Sequence, residues 1–385
     1  MTAGGIINMS LDRQLDKLAT FEPNGSPFIS LYLNTQPNQH GRDDFDRFVR
    51  KEFKNRAATF AEASPERESF ERDTERIGIY LRDKLEPSAN GLALFSCAGA
   101  NNYFEALQLE APIDKHVLHV SEGPHLYPLA RLIDQYPRYV ALVADTNSAR
   151  LFVFGLGKAE RTKELNNQNT SRTLAGERPQ LRYQQRLENY RLHYIKEVAQ
   201  TLERVVRDEN AKHIVLAGDD VFISLLREQV PQYLIDKVID ILRLDIRTPE
   251  HEVLKKTMES LRDDNLQTDA EKVRDLFEKY REGGLAVVGL DDTLDALVHG
   301  QVDELILSGT LKGISFNQEA LSGIPSISAA HNTLAEHLAE PRSAAAVADM
   351  LVARALSTGA AVTFIEDTKL LDDVGGVGAF LRYRV

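Results

Sequence analysis

The residues best suited to binding or chemistry in this sequence lie between positions 172 and 196. This stretch holds six basic and two acidic residues, a local net charge of +4 in a chain of 385 residues whose formal net charge is −12. The basic residues are Arg172, Arg178, Arg182, Arg186, Arg191 and Lys196. Arg and Lys side chains neutralise phosphates, so such a cluster is typical of a contact with RNA. A solvated basic face without a partner accounts for the charge equally well.

A long helix must present most of these basic side chains. Between positions 181 and 206, apolar residues recur at three- and four-residue spacing, which predicts an amphipathic helix; they are Leu187, Tyr190, Tyr194, Val198, Leu202 and Val205. Arg178, Arg182 and Arg186 lie four apart and share one face if the helix begins early enough. The preceding residues, 158–179, include almost no apolar side chain, so we expect an exposed loop there.

The rest of the chain has the periodicity of an α/β protein, and composition and length favour several domains. We predict an N-terminal α/β domain at 1–136, with a strand from Phe28 to Leu33. A middle domain at 137–248 follows the pattern strand–strand–helix–strand–helix and carries the exposed loop at 158–180. A charged helical connector occupies 249–282.

The last predicted domain, at 283–385, is also α/β. Asp291 or Asp292 is expected to cap its first helix by accepting backbone N–H bonds, and Gly300 is expected to end that helix. The fold class is therefore α/β, with three domains that each combine a sheet with helices.

Composition excludes several classes of protein. The single cysteine, Cys97, rules out a disulfide framework and any cysteine-based metal site within one chain. No apolar run approaches the roughly 18 residues of a membrane span, and the N-terminus lacks the pattern of a secretory signal. We therefore expect a cytoplasmic protein without a membrane partner. The glycine-rich segments lack the spacing of phosphate- or dinucleotide-binding loops, so no cofactor is expected.

Four other residues are of types that could have a functional role. His116 and His119 lie three apart, but no second pair of ligands accompanies them, so ordinary histidines are favoured over a metal site. Asp145 follows an apolar strand and could be catalytic, although a turn-forming aspartate is the favoured interpretation. Cys97 has no basic neighbours in sequence and is expected to be a buried small residue. We predict no metal site.

The predicted helix at 181–206 and the last segment both resemble one family. Leu181-Arg182-Tyr183 with Arg191, Tyr194 and Val198-Ala199 is similar to the middle domain of the archaeal and eukaryotic class-one peptide-release factors and their relative Pelota. The sequences GLDDTLDAL at 289–297 and GGVGAFLRYRV at 375–385 resemble the opening and the closing strand of that family's third domain. The order of the matching motifs identifies the chain as a member of the bacterial branch of this superfamily.

This resemblance implies a tRNA-shaped protein of three domains that enters the ribosomal A site. The middle domain would point toward the peptidyl-transferase centre, and the third would resemble the ribosomal-protein fold that binds kink-turn RNA. The implied partners are the ribosome, through its rRNA and a bound tRNA, and a translational GTPase.

The sequence departs from the family at both functional tips. The place of the Gly-Gly-Gln loop of release factors holds Gly176-Glu177-Arg178, with Gln180 nearby. Gln180 could replace the missing glutamine only if the loop were two residues shorter. The stop-codon-reading Asn-Ile-Lys-Ser is absent, and Ala63-Ser64-Pro65 lies roughly at its place. Ordinary stop-codon-dependent termination is therefore not expected.

Three functions remain open at this point. The favoured one is a ribosome-associated factor that occupies the A site without hydrolysing peptidyl-tRNA, in hibernation, stress protection or rescue. The basic residues of the cluster and Gly176 would then contact RNA. The second is a peptidyl-tRNA hydrolase or tRNA-cleaving rescue enzyme, with Glu177 as general base and Arg178 stabilising an oxyanion. The third is a stress-linked protein-interaction module. The oligomeric state is not determined by the sequence.

Overall fold

The computed structural model describes residues 11–22, 24–36, 45–109, 111–155, 158–166, 180–314 and 344–384. Within these ranges the chain forms three consecutive α/β segments, and each segment has its own sheet. No helix in the described ranges combines the length and the apolar character needed to cross a membrane.

The first segment builds an antiparallel sheet with helices on both faces. In chain order its elements are α1 (Leu11–Ala19), β1 (Phe28–Asn34), α2 (Phe45–Ala57), α3 (Pro65–Asp83), β2 (Gly91–Cys97), β3 (Tyr103–Leu109), β4 (Val117–Ser121) and α4 (Tyr127–Gln135). The strand order is β3–β2–β1–β4. Alternate residues of β1 point to opposite faces: Ile29 and Leu31 pack toward α2 and α3, whereas Tyr32 contacts His125 just before α4.

The middle segment forms a five-stranded sheet in the order β7–β6–β5–β8–β9. Its elements are β5 (Tyr139–Ala144), β6 (Ser148–Gly155), β7 (Lys158–Asn166), α5 (Gln180–Asp208), β8 (His213–Gly218), α6 (Asp220–Gln229), α7 (Gln232–Ile235) and β9 (Val238–Leu242). Strands β8 and β9 run parallel to β5, and β6 and β7 run antiparallel to their neighbours. The two consecutive strands that open the predicted pattern and the long helix α5 are confirmed.

The third segment has a four-stranded sheet in the order β10–β13–β11–β12. Its elements are α8 (Glu250–Arg281), β10 (Ala286–Val288), α9 (Leu290–Val298), β11 (Val302–Ser308), α10 (Ala344–Ser357), β12 (Ala361–Ile365) and β13 (Val377–Leu381). Helix α8 matches the predicted helical connector. Its early residues Val253 and Leu261 lie in the core of the middle sheet, and Val273 and Leu276 lie in the core of the third.

The prediction of a loop at 158–179 was wrong for its first half, because residues 158–166 form strand β7. This strand is at the edge of the sheet and pairs with β6 through the backbone, which requires no apolar side chains. One of its charged residues has a partner just beyond the end of α5: Arg161 Nη1 lies 3.1 Å from Glu209 Oε1. Polar edge strands of this kind protect a sheet from pairing with other chains, and they lack the alternation that predicts a strand.

The prediction about the start of α9 was also wrong. Gly289, with φ of +88°, occupies the N-cap position, and neither Asp291 nor Asp292 accepts a capping hydrogen bond there. Both aspartates lie in the first turn, where a negative charge still interacts favourably with the helix dipole. The other end agrees with the prediction: Gly300 has φ of +67°, and the N–H of Gln301 reaches back to the carbonyl of Ala296.

The described chain divides into two compact units, one made of residues 1–135 and 268–385 and the other of residues 136–267. The first and third segments thus form one unit, although a long stretch of sequence separates them. The domain boundaries predicted from the sequence stay predictions.

Helix α4 joins the first and third segments along one face. The carboxylate of Asp349 on α10 accepts the backbone N–H groups of Leu126 and Tyr127, at 2.8 and 2.9 Å. The hydroxyl of Tyr127 donates to the carbonyl of Ser308, and Arg131 forms a two-point ion pair with Glu366, at 3.0 and 2.8 Å. In the last turn, Asp134 accepts the backbone N–H of Phe364 in β12 at 2.9 Å.

We expect Asp349→Ala to lower the free energy of unfolding of this unit by about 2–4 kcal/mol, because it removes a helix cap and leaves buried donors without an acceptor. Asp303→Ala is the control, since Asp303 is two-thirds exposed and pairs with Arg382 on the surface; it should cost less than about 1 kcal/mol. Urea unfolding followed by circular dichroism measures both, and equal shifts would contradict the role assigned to Asp349.

Candidate functional site

Helix α5, which carries most of the predicted basic cluster, is fixed to the middle sheet by its C-terminal two-thirds. The predicted apolar positions Tyr194, Val198, Leu202 and Val205 are all buried there. They pack on β5, β6 and β8 and on α6. The basic residues toward the start of the helix are therefore continuous with a helical segment that packs on the sheet.

The structure describes only part of the predicted site. Gly176, Glu177 and Arg178 lie outside the described residues. Gln180 is the first residue of α5, and Arg182 and Arg186 follow within the helix, where their spacing of four places them on one face. Two arginines of the predicted three-arginine face therefore lie within α5 as described. The side chains of residues 180–190 are outside the described part of the chain.

The last two members of the cluster have different environments. Lys196 is exposed, whereas Arg191 is half-buried. The Nε atom of Arg191 is buried and has no hydrogen-bond partner among the described residues, and the same holds for the hydroxyl of Tyr194, one turn later. Burial, with a smaller contribution from Asp145, raises the pKa of Tyr194 above its usual range. Arg191 and Lys196 therefore differ in their access to a phosphate.

Two other candidates have structural roles. The carboxylate of Asp145 accepts the backbone N–H groups of Asn147 and Ser148, at 2.7 and 2.8 Å, which confirms the turn-forming interpretation. Cys97 is the last residue of β2 and is fully buried; burial raises the pKa of its thiol, as expected for an unreactive cysteine.

A second basic surface, on α2, was missed in the sequence. Arg47, Arg50, Lys51 and Lys54 are all exposed. Their positions i, i+3, i+4 and i+7 place them on one helix face, opposite the buried Phe45 and Val49. Within the described residues only Arg50 has an ion pair on this face, with Asp46 at 3.6 Å. The spacing alone could have revealed this face, which we call the α2 basic face.

The two histidines considered in the sequence differ in their surroundings. The Nδ1 atom of His116 accepts the backbone N–H of Asn34 at 3.2 Å, a structural role. His119 stacks on His125 with ring centroids 4.5 Å apart, and His125 Nδ1 lies 2.7 Å from a carboxylate oxygen of Asp349. Burial, reinforced by the neighbouring His125, lowers the pKa of His119 to about 4.

His119, His125 and Asp349 are also a group that could hold a metal ion. One ligand atom from each residue lies within 4.8 Å of the others. Sequence spacing pointed to His116 and His119, and it could not have indicated this group, because Asp349 comes from a distant helix.

Two protein-family models match consecutive parts of the chain. The family described as bacterial archaeo-eukaryotic release factor family 10 matches residues 124–262. The family described as eRF1 domain 3 matches residues 266–385. The first match covers the last part of segment one, the middle sheet and the start of α8, and the second covers the whole third sheet.

Individual relatives agree with these families. A Pelota homologue of Pyrococcus furiosus is 28% identical over 127 residues, which are 31% of this chain and 36% of that protein. The match thus spans little more than a third of its length. The peptide chain release factor subunit 1 of Picrophilus torridus is 22% identical over 317 residues, 78% of this chain and 75% of that protein. A solved structure described as a model of ribosome-bound archaeal Pelota and ABCE1 is 17% identical in sequence. The match covers 98% of this chain and 95% of the matched chain, with a TM-score of 0.41.

One family model matches the middle of the chain, and a model of a release-factor domain matches its last third. The chain belongs to the archaeo-eukaryotic release factor and Pelota superfamily.

Proposed function

We propose that the protein is a ribosome-associated translation factor that occupies the A site without stop-codon-dependent termination. Hibernation, stress protection and ribosome rescue are the roles that fit this activity. The observation that carries the proposal is the combination of superfamily membership with a Gly176-Glu177-Arg178 sequence where the catalytic Gly-Gly-Gln would stand.

The replaced loop argues against hydrolysis of the peptidyl-tRNA ester. A second glycine would allow backbone conformations that Glu177 adopts only with strain. A neutral glutamine amide can orient a water molecule beside phosphates, whereas the Glu177 carboxylate is repelled by them and Arg178 binds them instead. The altered loop therefore supports binding to RNA more than activation of water.

Two separate basic surfaces support a contact with rRNA. The basic cluster has a net charge of +4 over residues 172–196, and the α2 basic face presents four exposed cations. Because most surface charges beyond roughly 8–10 Å are screened at physiological salt, a phosphate backbone responds to these local patches and little to the net charge of −12. A translational GTPase is proposed as a further partner on the strength of the family.

We expect Arg182→Gln with Arg186→Gln to weaken cosedimentation with ribosomes and to reduce the slope of log K against log salt concentration by about 2, one for each lost phosphate contact. The measurement is cosedimentation over a salt series. Lys255→Gln with Lys256→Gln is the matched control, because these lysines are exposed on α8 in the same compact unit. If the unaltered protein fails to associate with ribosomes even at low salt, the proposal is wrong.

The α2 basic face gives an independent prediction. Arg47→Gln with Lys51→Gln removes two exposed charges one helical turn apart. Relative to the unaltered protein, we expect the slope of log association constant against log salt concentration to be reduced by about 2. In the quadruple variant with Arg182→Gln and Arg186→Gln the two reductions should add, because the faces belong to different compact units. An unchanged slope would remove the α2 basic face from the binding surface.

Release of labelled peptide from stalled ribosomal complexes distinguishes this proposal from the enzymatic alternative. We expect background release with the unaltered protein and equal values with Glu177→Ala and Gln180→Ala. A general base typically contributes 10²- to 10⁴-fold in rate, so an enzyme would show release well above background and a clear loss in one of the variants. That result would favour the hydrolase.

A further inference from the structure

We propose that His119, His125 and Asp349 form a binding site for a divalent transition-metal ion, with Zn²⁺ as the best match to the donor set. One ligand atom from each of the three residues lies within 4.8 Å of the others. Two imidazoles and one carboxylate are a common set of protein ligands for Zn²⁺, with a fourth position left for water.

The two histidines are positioned by the same strand. His119 lies on β4 directly opposite Ser30 of β1, and Ser30 Oγ accepts the backbone N–H of His125 at 2.9 Å. The carbonyl of His125 accepts the hydroxyl of Tyr32, two residues further along β1. Strand β1 therefore positions the backbone of both histidines, which reduces the cost of ordering the ligands when an ion binds.

The carboxylate of Asp349 is oriented in the way expected for a metal ligand. Its Oδ1 atom accepts the backbone N–H groups of Leu126 and Tyr127, and its Oδ2 atom lies 2.7 Å from His125 Nδ1. Ligating carboxylates in proteins are usually held by such outer hydrogen bonds. For Nδ1 of His125 to bind the ion, the neutral imidazole would carry its proton on Nε2, and the ion would take the place of the hydrogen between Nδ1 and Asp349.

His119 supplies the observation that favours an ion over a simple histidine–aspartate pair. Its imidazole is half-buried and stacks on His125, and it makes no hydrogen bond to another described residue. Its ring nitrogens are therefore not committed to a protein partner, and one of them is available to an ion. The positive charge of Arg56 near His119 opposes a cation, whereas the carboxylate of Asp349 favours one.

The site is best tested with Zn²⁺ on the full chain without a histidine tag. Isothermal titration should give one Zn²⁺ per chain, and the melting temperature should rise with Zn²⁺ and then saturate. We expect His119→Gln to weaken Zn²⁺ binding at least about 100-fold, since even outer-shell changes cost 10- to 100-fold. Mg²⁺ should have no effect, because it prefers an all-oxygen site.

His299→Gln is the matched control. His299 also lies beside a carboxylate, that of Asp295 at 3.5 Å, but both side chains are exposed. Among the described residues, no second histidine groups with them as a set of metal ligands. This variant should bind Zn²⁺ like the unaltered protein. The visible absorption of bound Co²⁺ provides a second readout, which should be lost in His119→Gln and kept in His299→Gln. Absence of Zn²⁺ binding, or equal affinity in the unaltered protein and His119→Gln, would overturn the proposal.

Discussion

The contact between the first and third segments depends on the capping of helix α4, in the first segment, by a carboxylate from the third. The first N–H groups of any helix lack partners within the helix, and α4 has only nine residues, too few to be stable alone. Asp349, more than 200 residues away in sequence, supplies the missing acceptor and a negative charge at the positive end of the helix dipole. The start of α4 is thus completed only when α10 is in place.

The remaining contacts of α4 follow from this first one. Tyr127, Arg131 and Asp134 lie on a single face at spacings of four and three, and each bonds to the third segment. Once the cap fixes where the helix begins, this face is aligned with β11 and β12. Asp134 accepts a backbone N–H of the edge strand β12, and it therefore satisfies a donor that an edge would otherwise leave unpaired.

Much of the fold could be predicted from sequence because its signals are local. The buried positions of α5 recur with the helical period, and the apolar run at 139–144 is buried throughout. Strand β7 could not be predicted, because the backbone of β6 decides its pairing and its side chains carry no alternation. The cap of α9 was misassigned for a related reason: an aspartate near a helix start is a good cap only if the backbone places it there, and Gly289 takes that position.

The candidate sites also differ in whether the sequence signal that reveals them is local. The basic cluster of α5 and the α2 basic face are linear patterns, so charge and helical spacing suffice to find them. The group of His119, His125 and Asp349 requires β4, the start of α4 and α10 to come together, and no spacing along the chain encodes that.

The distribution of charge limits how such a protein can meet RNA. Residues 281–385 contain seven basic and fourteen acidic residues, a net charge of −7, which repels phosphate over much of the third segment. The α2 basic face and the α5 cluster are the places where we propose that attraction acts. Repulsion elsewhere improves specificity as effectively as additional attraction, since it raises the free energy of every wrong orientation. An acidic chain with two basic helices therefore has fewer orientations in which it can bind a phosphate surface than a uniformly basic chain has. Its orientation on that surface is better defined, and its non-specific affinity for phosphates is lower.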